Sequence, residues 1–317
     1  MTVTHNTNVR ILDEVVFVFL AYKQEKFIPQ TLLSAFNQTC FPSKLIIMDD
    51  ASPDNTDKEI RKLISEAPEG LNIEYLHNEI NVGLVSQLNK LVGKFDNKLI
   101  VLQAGDDESY PNRLEETYKA WIEHNKPSLV LANYDCIDAS GQIIKKFDYQ
   151  SPSEKPYTLD RIIRRRVKVY GCCAAIHSDL FNFFGPIATE VINEDRINIF
   201  RAYFRRGIFY LHKPLLKYNS EVGISAFQSE TKLQLLHKVR TEAQREIIDI
   251  ECHISDLKKI HDTSVYNLLI SRKKNVQWLT TIQTSLTFWQ ALIAIFQGVS
   301  PSVALKIYKK VRRLRDE

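Results

Sequence analysis

Two acidic pairs and one aromatic ring are the first residues in this chain that could do chemistry. Asp49-Asp50 close one apolar run, Asp106-Asp107 follow another, and Tyr22 follows a third. Asp106-Asp107 come directly after Val101-Leu102-Gln103-Ala104-Gly105. Two adjacent carboxylates in so apolar a context repel each other unless a cation neutralises them, and a hard divalent ion, Mg²⁺ or Mn²⁺, is the natural partner. Such an ion keeps few protein ligands and completes its shell with substrate phosphates. The pair therefore points to a nucleotide-diphosphate substrate whose leaving pyrophosphate carries charge for the metal to stabilise. Asp50 could accept a hydrogen bond from a base N–H, and Tyr22 offers a flat face for stacking.

These residues need elements that bring them to one edge. Residues 15–21 form a continuous β-branched and aromatic run, as expected of a strand buried on both faces. Residues 27–38 carry Ile28, Leu32, Ala35 and Phe36 at helical spacing, and residues 44–48 read as a second buried strand. Pro53, Asp54 and Asn55 supply a turn and cap for a helix over 56–67. A strand over 71–76, a helix over 85–92 opened by Asn81-Val82-Gly83, and a strand over 98–102 complete the series. Three β-α units in succession predict an α/β fold, a Rossmann-like, mostly parallel sheet flanked by helices. In such sheets ligands bind beyond the carboxyl ends of the strands, where Tyr22, Asp50 and Asp106-Asp107 fall. No G-x-G-x-x-G follows the first strand and no Walker A loop is present, which argues against a dehydrogenase or P-loop site.

Hydrophobic residues make up 44% and charged residues 25% of the 317, ordinary globular usage. A net charge of +4 gives no global case for nucleic-acid binding. The five cysteines form no C-x-x-C pair, so a reduced, cytosolic compartment is expected, and the N-terminus lacks the pattern of a secretion signal. Cys172-Cys173 read as a buried structural pair. His77 reads as a strand-end residue in a hydrogen bond, and no H-x-x-x-H pair suggests zinc.

The runs FLAYKQEKFIPQTLLSAFNQT, LIIMDDASPDNT, NEINVGL and LQAGDDESYPNRL, in that order, closely resemble the nucleotide-binding half of inverting family-2 glycosyltransferases of the GT-A fold. VYGCCAAIHSDLFNFFGPI is similar to the family's acceptor-side segment and NEDRINIFRAYFRRG to its ED-bearing helix, so the resemblance spans about residues 13–225. It implies that Asp50 binds the nucleobase with Tyr22 beside it, and that Asn81 joins the nucleotide site. It further implies that Asp106 contacts ribose or pyrophosphate, that Asp107 ligates Mn²⁺ or Mg²⁺, and that Asp195 is the general base, with Glu194 on the acceptor side. The chemistry agrees. Inversion needs one carboxylate to take the acceptor hydroxyl's proton as that oxygen attacks the anomeric carbon, while the metal assists the leaving group. Two positions depart from the pattern. Lys23 stands where many members have Asn. Leu88 stands where many have a base, with Lys90 the nearest alternative, so pyrophosphate neutralisation would lean on the metal or on a mobile segment near 213–225.

The last ninety residues differ in character. Residues 231–259 read as an amphipathic helix and 265–270 as another, ending in Arg272-Lys273-Lys274. Residues 275–305 hold no charge yet carry too many Thr, Ser and Gln for a membrane span of about 20 apolar residues. Trp278 and Trp289 in that stretch suit a helix lying in a membrane interface, and a buried hairpin or dimer contact is the alternative. From Lys306 onward there are six basic residues and two acids, which account for the whole net charge. Such a tail favours an anionic leaflet.

The expectation is thus a catalytic domain over 1–228, divided into a nucleotide-binding half (13–107) and an acceptor-side half (108–228). A helical region over 229–317 follows, contacting membrane or forming a homo-oligomer. The expected partners are a nucleotide-diphosphate sugar, UDP-linked first, and a glycan or lipid-linked glycan acceptor in bacterial capsule or lipopolysaccharide synthesis, with no nucleic acid. The expected location is cytoplasmic, peripheral on the inner face of the bacterial cytoplasmic membrane. Two rivals stand beside this reading. A sugar nucleotidyltransferase would need a Gly-rich basic loop after the first strand, and LAYKQEKF has no Gly. A non-catalytic, membrane-attached glycan-binding or scaffold relative would have no need of the intact acidic set.

Overall fold

The structure is a computed structural model that describes residues 9–148, 157–167, 169–220, 232–281 and 288–296, with isolated positions between 299 and 309. Four β-strands and three intervening helices make the first half. They are β1 (Ile11–Ala21), α1 (Ile28–Phe36), β2 (Phe41–Asp49), α2 (Thr56–Ser65), β3 (Ile73–His77), α3 (Leu84–Asn89) and β4 (Leu99–Ala104). They pair in parallel in the order β3-β2-β1-β4. β1 begins earlier than its apolar run because Ile11 and Leu12 pair with Phe41 and Pro42, before an irregularity between Leu12 and Val16. Alternate side chains feed two cores. Val16, Val18, Ile46, Ile100 and Leu102 point to one. Val15, Phe17, Phe19, Leu45 and Val101 point to the other, against Ile28, Leu32, Ala35 and Phe36 of α1. Apolar residues on both faces explain why these strands read as unbroken runs.

The second half continues the same sheet in mixed sense. It contains β5 (Glu108–Ser109), α4 (Arg113–Glu123), β6 (Leu129–Ile137), β7 (Ile143–Lys145), α5 (Leu159–Ile163), β8 (Ala174–His177), α6 (Ser178–Phe184), α7 (Glu194–Tyr203) and β9 (Ile208–Asn219). β8 lies antiparallel between β4 and β6, β9 runs parallel to β6, and β5 and β7 pair antiparallel with β9 and β6. The mobile segment expected from residue 213 is corrected over its first part. Residues 213–219 belong to β9, where Lys213 pairs with Glu116 at 2.7 Å and Lys217 with Glu108 at 2.8 Å. Residues 221–225 lie outside the described residues.

The chain then forms α8 (Lys232–Ile260), α9 (Tyr266–Thr280) and α10 (Phe288–Phe296). Leu236, Ala243, Ile250 and Leu257 recur every seven residues along α8 and are buried. Ala243, Ile250 and Leu257 join Leu269 and Val276 of α9 in the first core of the sheet. α9 does not end at its basic triplet, as expected from the sequence. Arg272 forks onto Glu246 and Lys273 pairs with Glu251, both on α8, so the charges face a partner helix and the turns continue. Trp278 packs against a small cluster of Ala291, Ala294, Val299 and Ala304, which uses part of the uncharged stretch as core. Among the described residues no helix is long and apolar enough to cross a membrane. The basic tail from Lys306 lies outside the described residues, apart from Tyr308 and Lys309.

Candidate active site

Backbone hydrogen bonds lace the carboxyl ends of the parallel strands together. Gly105 N–H donates to Leu20 O at 2.8 Å, Asp50 N–H to Ala21 O at 3.0 Å and Asn78 N–H to Asp49 O at 2.9 Å. The strand order reverses between β1 and β4, which opens the crevice where α/β sheets bind ligands. Tyr22 stands at its rim, 39% exposed, with the Lys23 ammonium 5.1 Å from its ring centroid. A flat, half-open ring at this place suits stacking. Lys23, at the first departure from the family pattern, has a left-handed backbone (φ 56°) and donates its N–H to Ser52 Oγ.

Asp49 and Asp50 point into hydrogen-bonded loops. Asp49 accepts from Ser52 Oγ at 2.5 Å and meets His77 Nδ1 at 2.8 Å, so His77 is the bonded strand-end residue its position predicts. Asp50, 2% exposed, accepts from Asn78 Nδ2, Val82 N–H and Gly83 N–H at 2.7–2.9 Å. Asn81 Nδ2 donates to Asp50 O at 3.3 Å. Asp50 and Asn81 are therefore together, with Asp50 organising loop 78–83 in the crevice. Leu88 is fully buried, whereas Lys90 donates to Asn78 Oδ1 and brings its charge to the same loop. Asp49, Asp57 and His77 also place one ligand atom each within 4.8 Å of one another. Arg61 pairs with Asp57 at 2.9 Å, and the Tyr75 hydroxyl donates to it at 2.5 Å, so that trio is already internally satisfied.

Asp106-Asp107 stand beyond β4. Asp107 is 1% exposed and its Oδ1 accepts from Asn219 N–H at 3.0 Å. Burial, with Asp106 adjoining, pushes its carboxyl up to about 7, and burial raises Asp106 also. The Cys172 thiol hydrogen bond and the Arg113 guanidinium pull Asp107 down but do not cancel that rise. Arg113, wholly buried, donates to Leu102 O at 2.5 Å, Cys172 O at 2.7 Å and Ser109 Oγ at 3.0 Å. The Asp pair is thus a hard-oxygen donor set whose negative charge the protein leaves largely uncompensated, and it fits a divalent cation.

Glu194-Asp195 open α7. Burial, with Asp195 adjoining, pushes Glu194 up to about 8. Burial raises Asp195 as well, while Arg196 and Arg165 pull it down. The 3₁₀ turn Gly171–Cys173 joins this pair to the first. Cys172 O accepts from Arg113, the guanidinium that also acts on Asp107. A Cβ on Gly171 would fall 2.6 Å from Glu194 Oε1 and 3.9 Å from Asp195 Cβ. The two acidic pairs therefore face one site across a single turn. Cys173 is buried and Cys172 half-buried, their thiols 3.9 Å apart, so the expected burial holds for Cys173 and only in part for Cys172.

Sequence reasoning missed Arg113, the Cys172 contact and Asn219, all of which act through tertiary contact. Arg113 lay within the quoted LQAGDDESYPNRL run, but nothing there signals a buried guanidinium.

This sheet, with its switch-point crevice and strand-end acids, is the α/β GT-A fold with a helical C-terminal region. Residues 17–184, just over half of the chain, match Glycosyl transferase family 2, and the chain belongs to that family. An uncharacterized glycosyltransferase of Methanocaldococcus jannaschii is 32% identical over 125 residues, 39% of this chain and 42% of the relative. One of Rickettsia conorii is 23% identical over 230 residues, 70% of this chain and 37% of the relative. The chain thus matches about two fifths of the length of these relatives. Among solved structures, S. aureus TarS 1–349 in complex with UDP-GlcNAc superposes with a TM-score of 0.58 at 16% identity, covering 95% of this chain and 92% of that one. The mannosyltransferase PcManGT of Pyrobaculum calidifontis, in complex with GDP-Man and Mn²⁺, gives 0.54 at 16% identity, covering 98% and 84%.

Proposed function

We propose that the chain is an inverting, metal-dependent glycosyltransferase that moves a sugar from a nucleotide diphosphate to a hydroxyl of a glycan acceptor. The observation that carries this reading is the convergence of the two acidic pairs on the Gly171–Cys173 turn, one short of positive charge and the other flanked by arginines. Asp106 and Asp107 would hold Mn²⁺ or Mg²⁺ against the donor diphosphate, Asp107 as ligand and Asp106 toward ribose and pyrophosphate. Bound there, the cation supplies charge for the departing phosphate oxygens. Tyr22 stacks on the base, and Asp50 and Asn81 hold the nucleotide through loop 78–83. Asp195 takes the acceptor proton as the acceptor oxygen bonds to the anomeric carbon. The bond from that carbon to the diphosphate breaks, and the nucleotide leaves with its electron pair. Glu194, high enough to keep its proton at neutral pH, lines the acceptor side without competing as a base.

A UDP-sugar is the first donor to test, since TarS, which shares the fold, is solved with UDP-GlcNAc. We assign 1–228 as the catalytic domain and 229–317 as the helical region. The acceptor is proposed to be a lipid-linked glycan of bacterial surface polysaccharide synthesis, capsule or lipopolysaccharide. The basic C-terminal helix would hold the enzyme peripherally at the inner face of the cytoplasmic membrane, with the C-terminal helices also available for self-association. Thermal-shift screening of UDP-, dTDP- and GDP-sugars with Mn²⁺ tests the core of this reading, because a ligand of the native state raises Tm. One nucleotide class should raise Tm, and EDTA should remove the rise. No shift with any class in either condition would sink it.

A further inference from the structure

Three tyrosines from separate elements meet beside the turn that joins the acidic pairs. Tyr134 lies on β6, Tyr170 leads directly into the Gly171–Cys173 turn, and Tyr218 lies on β9. The Tyr134 and Tyr170 ring centroids are 4.7 Å apart with the planes at 85°, edge to face. The Tyr218 centroid is 5.0 Å from that of Tyr134, with 54° between the planes. Along the β6–β9 pair Tyr134 stands opposite Leu216 and Tyr218 opposite Cys136, so these two rings are diagonal neighbours on one face of the sheet.

Chain order and contacts tie the rings to the site. Gly171, next to Tyr170, comes so close to α7 that a Cβ there would fall 2.6 Å from Glu194 Oε1 and 3.9 Å from Asp195 Cβ. Tyr170 O accepts from Cys173 N–H at 3.0 Å, which closes the turn. Asn219, next to Tyr218, donates its N–H to Asp107 Oδ1 at 3.0 Å. Asn133, next to Tyr134, has its O 3.9 Å from the Cys173 thiol. The cluster therefore flanks both acidic pairs.

Its chemistry suits one kind of guest. All three rings are half-buried, and a half-buried tyrosine offers an apolar body with a polar tip. In an edge-to-face pair each ring is covered by the other on one face at most. An aromatic face is electronegative. A pyranose presents the matching surface, a patch of slightly positive C–H groups on one face and a rim of hydroxyls that phenolic O–H groups can reach. A diphosphate would call for cations in place of rings.

We propose that Tyr134, Tyr170 and Tyr218 form the subsite that seats the sugar ring of the acceptor, so that the attacking hydroxyl is carried by a pyranose. The inference rests on the glycosyltransferase reading and deepens it by naming the residues that select the acceptor. The acceptor's ring is placed here, and not the donor's, because Tyr170 adjoins the turn packed on Glu194 and Asp195, the side on which the attacking hydroxyl loses its proton.

The test reads the rings directly, with no donor present. Full-length protein carrying ¹³C in its tyrosine rings is titrated with the methyl pyranosides of glucose, galactose, mannose and N-acetylglucosamine. The three signals are identified by their loss in Tyr134→Phe, Tyr170→Phe and Tyr218→Phe. At least one pyranoside should shift the Tyr134 and Tyr170 signals and leave that of Tyr118, whose hydroxyl donates to Glu14, unmoved. No shift at Tyr134 and Tyr170 with any of the four, or an equal shift at Tyr118, overturns the proposal. Tyr134→Leu should weaken the Kd of that pyranoside roughly two- to tenfold, the worth of one aromatic contact. Tyr134→Phe, which keeps the ring, should recover most of the loss. If Tyr134→Leu does not fold, Tyr170→Leu carries the comparison, and an unchanged Kd in the folded variant refutes the subsite. The nucleotide sugar that raises Tm separates the two sugars. Added to Asp195→Asn, where transfer is blocked, it should leave the pyranoside bound, and displacement would assign the rings to the donor's sugar and overturn the acceptor subsite. A protein whose Tm no nucleotide sugar raises would sink the glycosyltransferase reading itself, a failure distinct from that of the donor-free ring titration.

Discussion

Asp106-Asp107 and Glu194-Asp195 are alike in sequence, two neighbouring acids at one site, and unlike in how the fold treats their charge. The strand-end pair has one arginine within influence, and Arg113 is already donating to two carbonyls and a hydroxyl. The helix pair has Arg165 and Arg196 built in. A carboxylate pair whose one nearby arginine is already engaged holds its charge best when an ion arrives from solution. One supplied with arginines can hold a single charge permanently, which suits a base. On the proposed function, the same residue type would serve as a metal ligand in one place and a proton acceptor in the other, and the difference would lie in the neighbours.

The comparison breaks most visibly if the two pairs prove interchangeable. Asp195→Asn should cut transfer about 10²–10⁴-fold, the usual worth of general base catalysis, while metal and nucleotide binding stay intact by calorimetry. Asp107→Ala should show the opposite pattern. Nucleotide affinity in Mn²⁺ should fall roughly 10–100-fold or more, as with losses at metal sites, and should no longer respond to EDTA. Identical nucleotide affinities in the two variants would erase the distinction.

A smaller effect tests the wall between the pairs. Gly171→Ala places a methyl 2.6 Å from Glu194 Oε1. Overpacking of this kind costs about 1–3 kcal/mol, which chemical denaturation should register, and Glu194→Asp in the same chain should recover part of it.

The raised carboxyls of Asp107 and Glu194 sharpen the comparison through pH. Asp107 and Glu194 have folded values raised to about 7 and about 8, well above their unfolded ones. The stability from their protonated forms is complete below the unfolded values and is lost as pH rises through the folded ones. His253, buried neutral with its value lowered to about 3, acts only below its ordinary 6.5. Between pH 6.5 and 8.5 the metal-free protein should therefore lose on the order of 2 kcal/mol of stability. Mn²⁺ should cancel the Asp107 share of that loss and leave the Glu194 share. A metal-free melting temperature that is flat across this range would contradict both assignments.

The parallel half of the fold was legible because its signals are local. Apolar runs of strand length, helical spacing in α1 and the acids that end the runs all follow from residues near in sequence. Helix α9 was misread because Arg272 and Lys273 look like a solvated terminus until α8 places Glu246 and Glu251 opposite them. The segment from residue 213 was expected to move because its lysines gave no sign of Glu108 and Glu116. In the site, Tyr22, Asp50 and the acidic pairs could be named from motif order. Of the neighbours that tune them, Cys172 and Arg165 lie tens of residues away from the acids they act on, and Arg113, only a few residues past Asp107, gives no local sign of a buried guanidinium.

The heptad seam of α8 has a consequence for synthesis. Leu236, Ala243, Ile250 and Leu257 are buried along α8, which ties back to the acceptor-side half through Arg201–Asp256 and Arg165–Asp249, 55 and 84 residues apart. Chains emerge from the ribosome N-terminus first, at about 5–20 residues per second. All four parallel strands, with Tyr22, Asp50 and Asp106 at their ends, are therefore translated many seconds before α8 exists. A nascent chain can complete the parallel strands while Arg165 still lacks Asp249. Closure of the buried ion pairs between α8 and the acceptor-side half thus waits on the last part of translation.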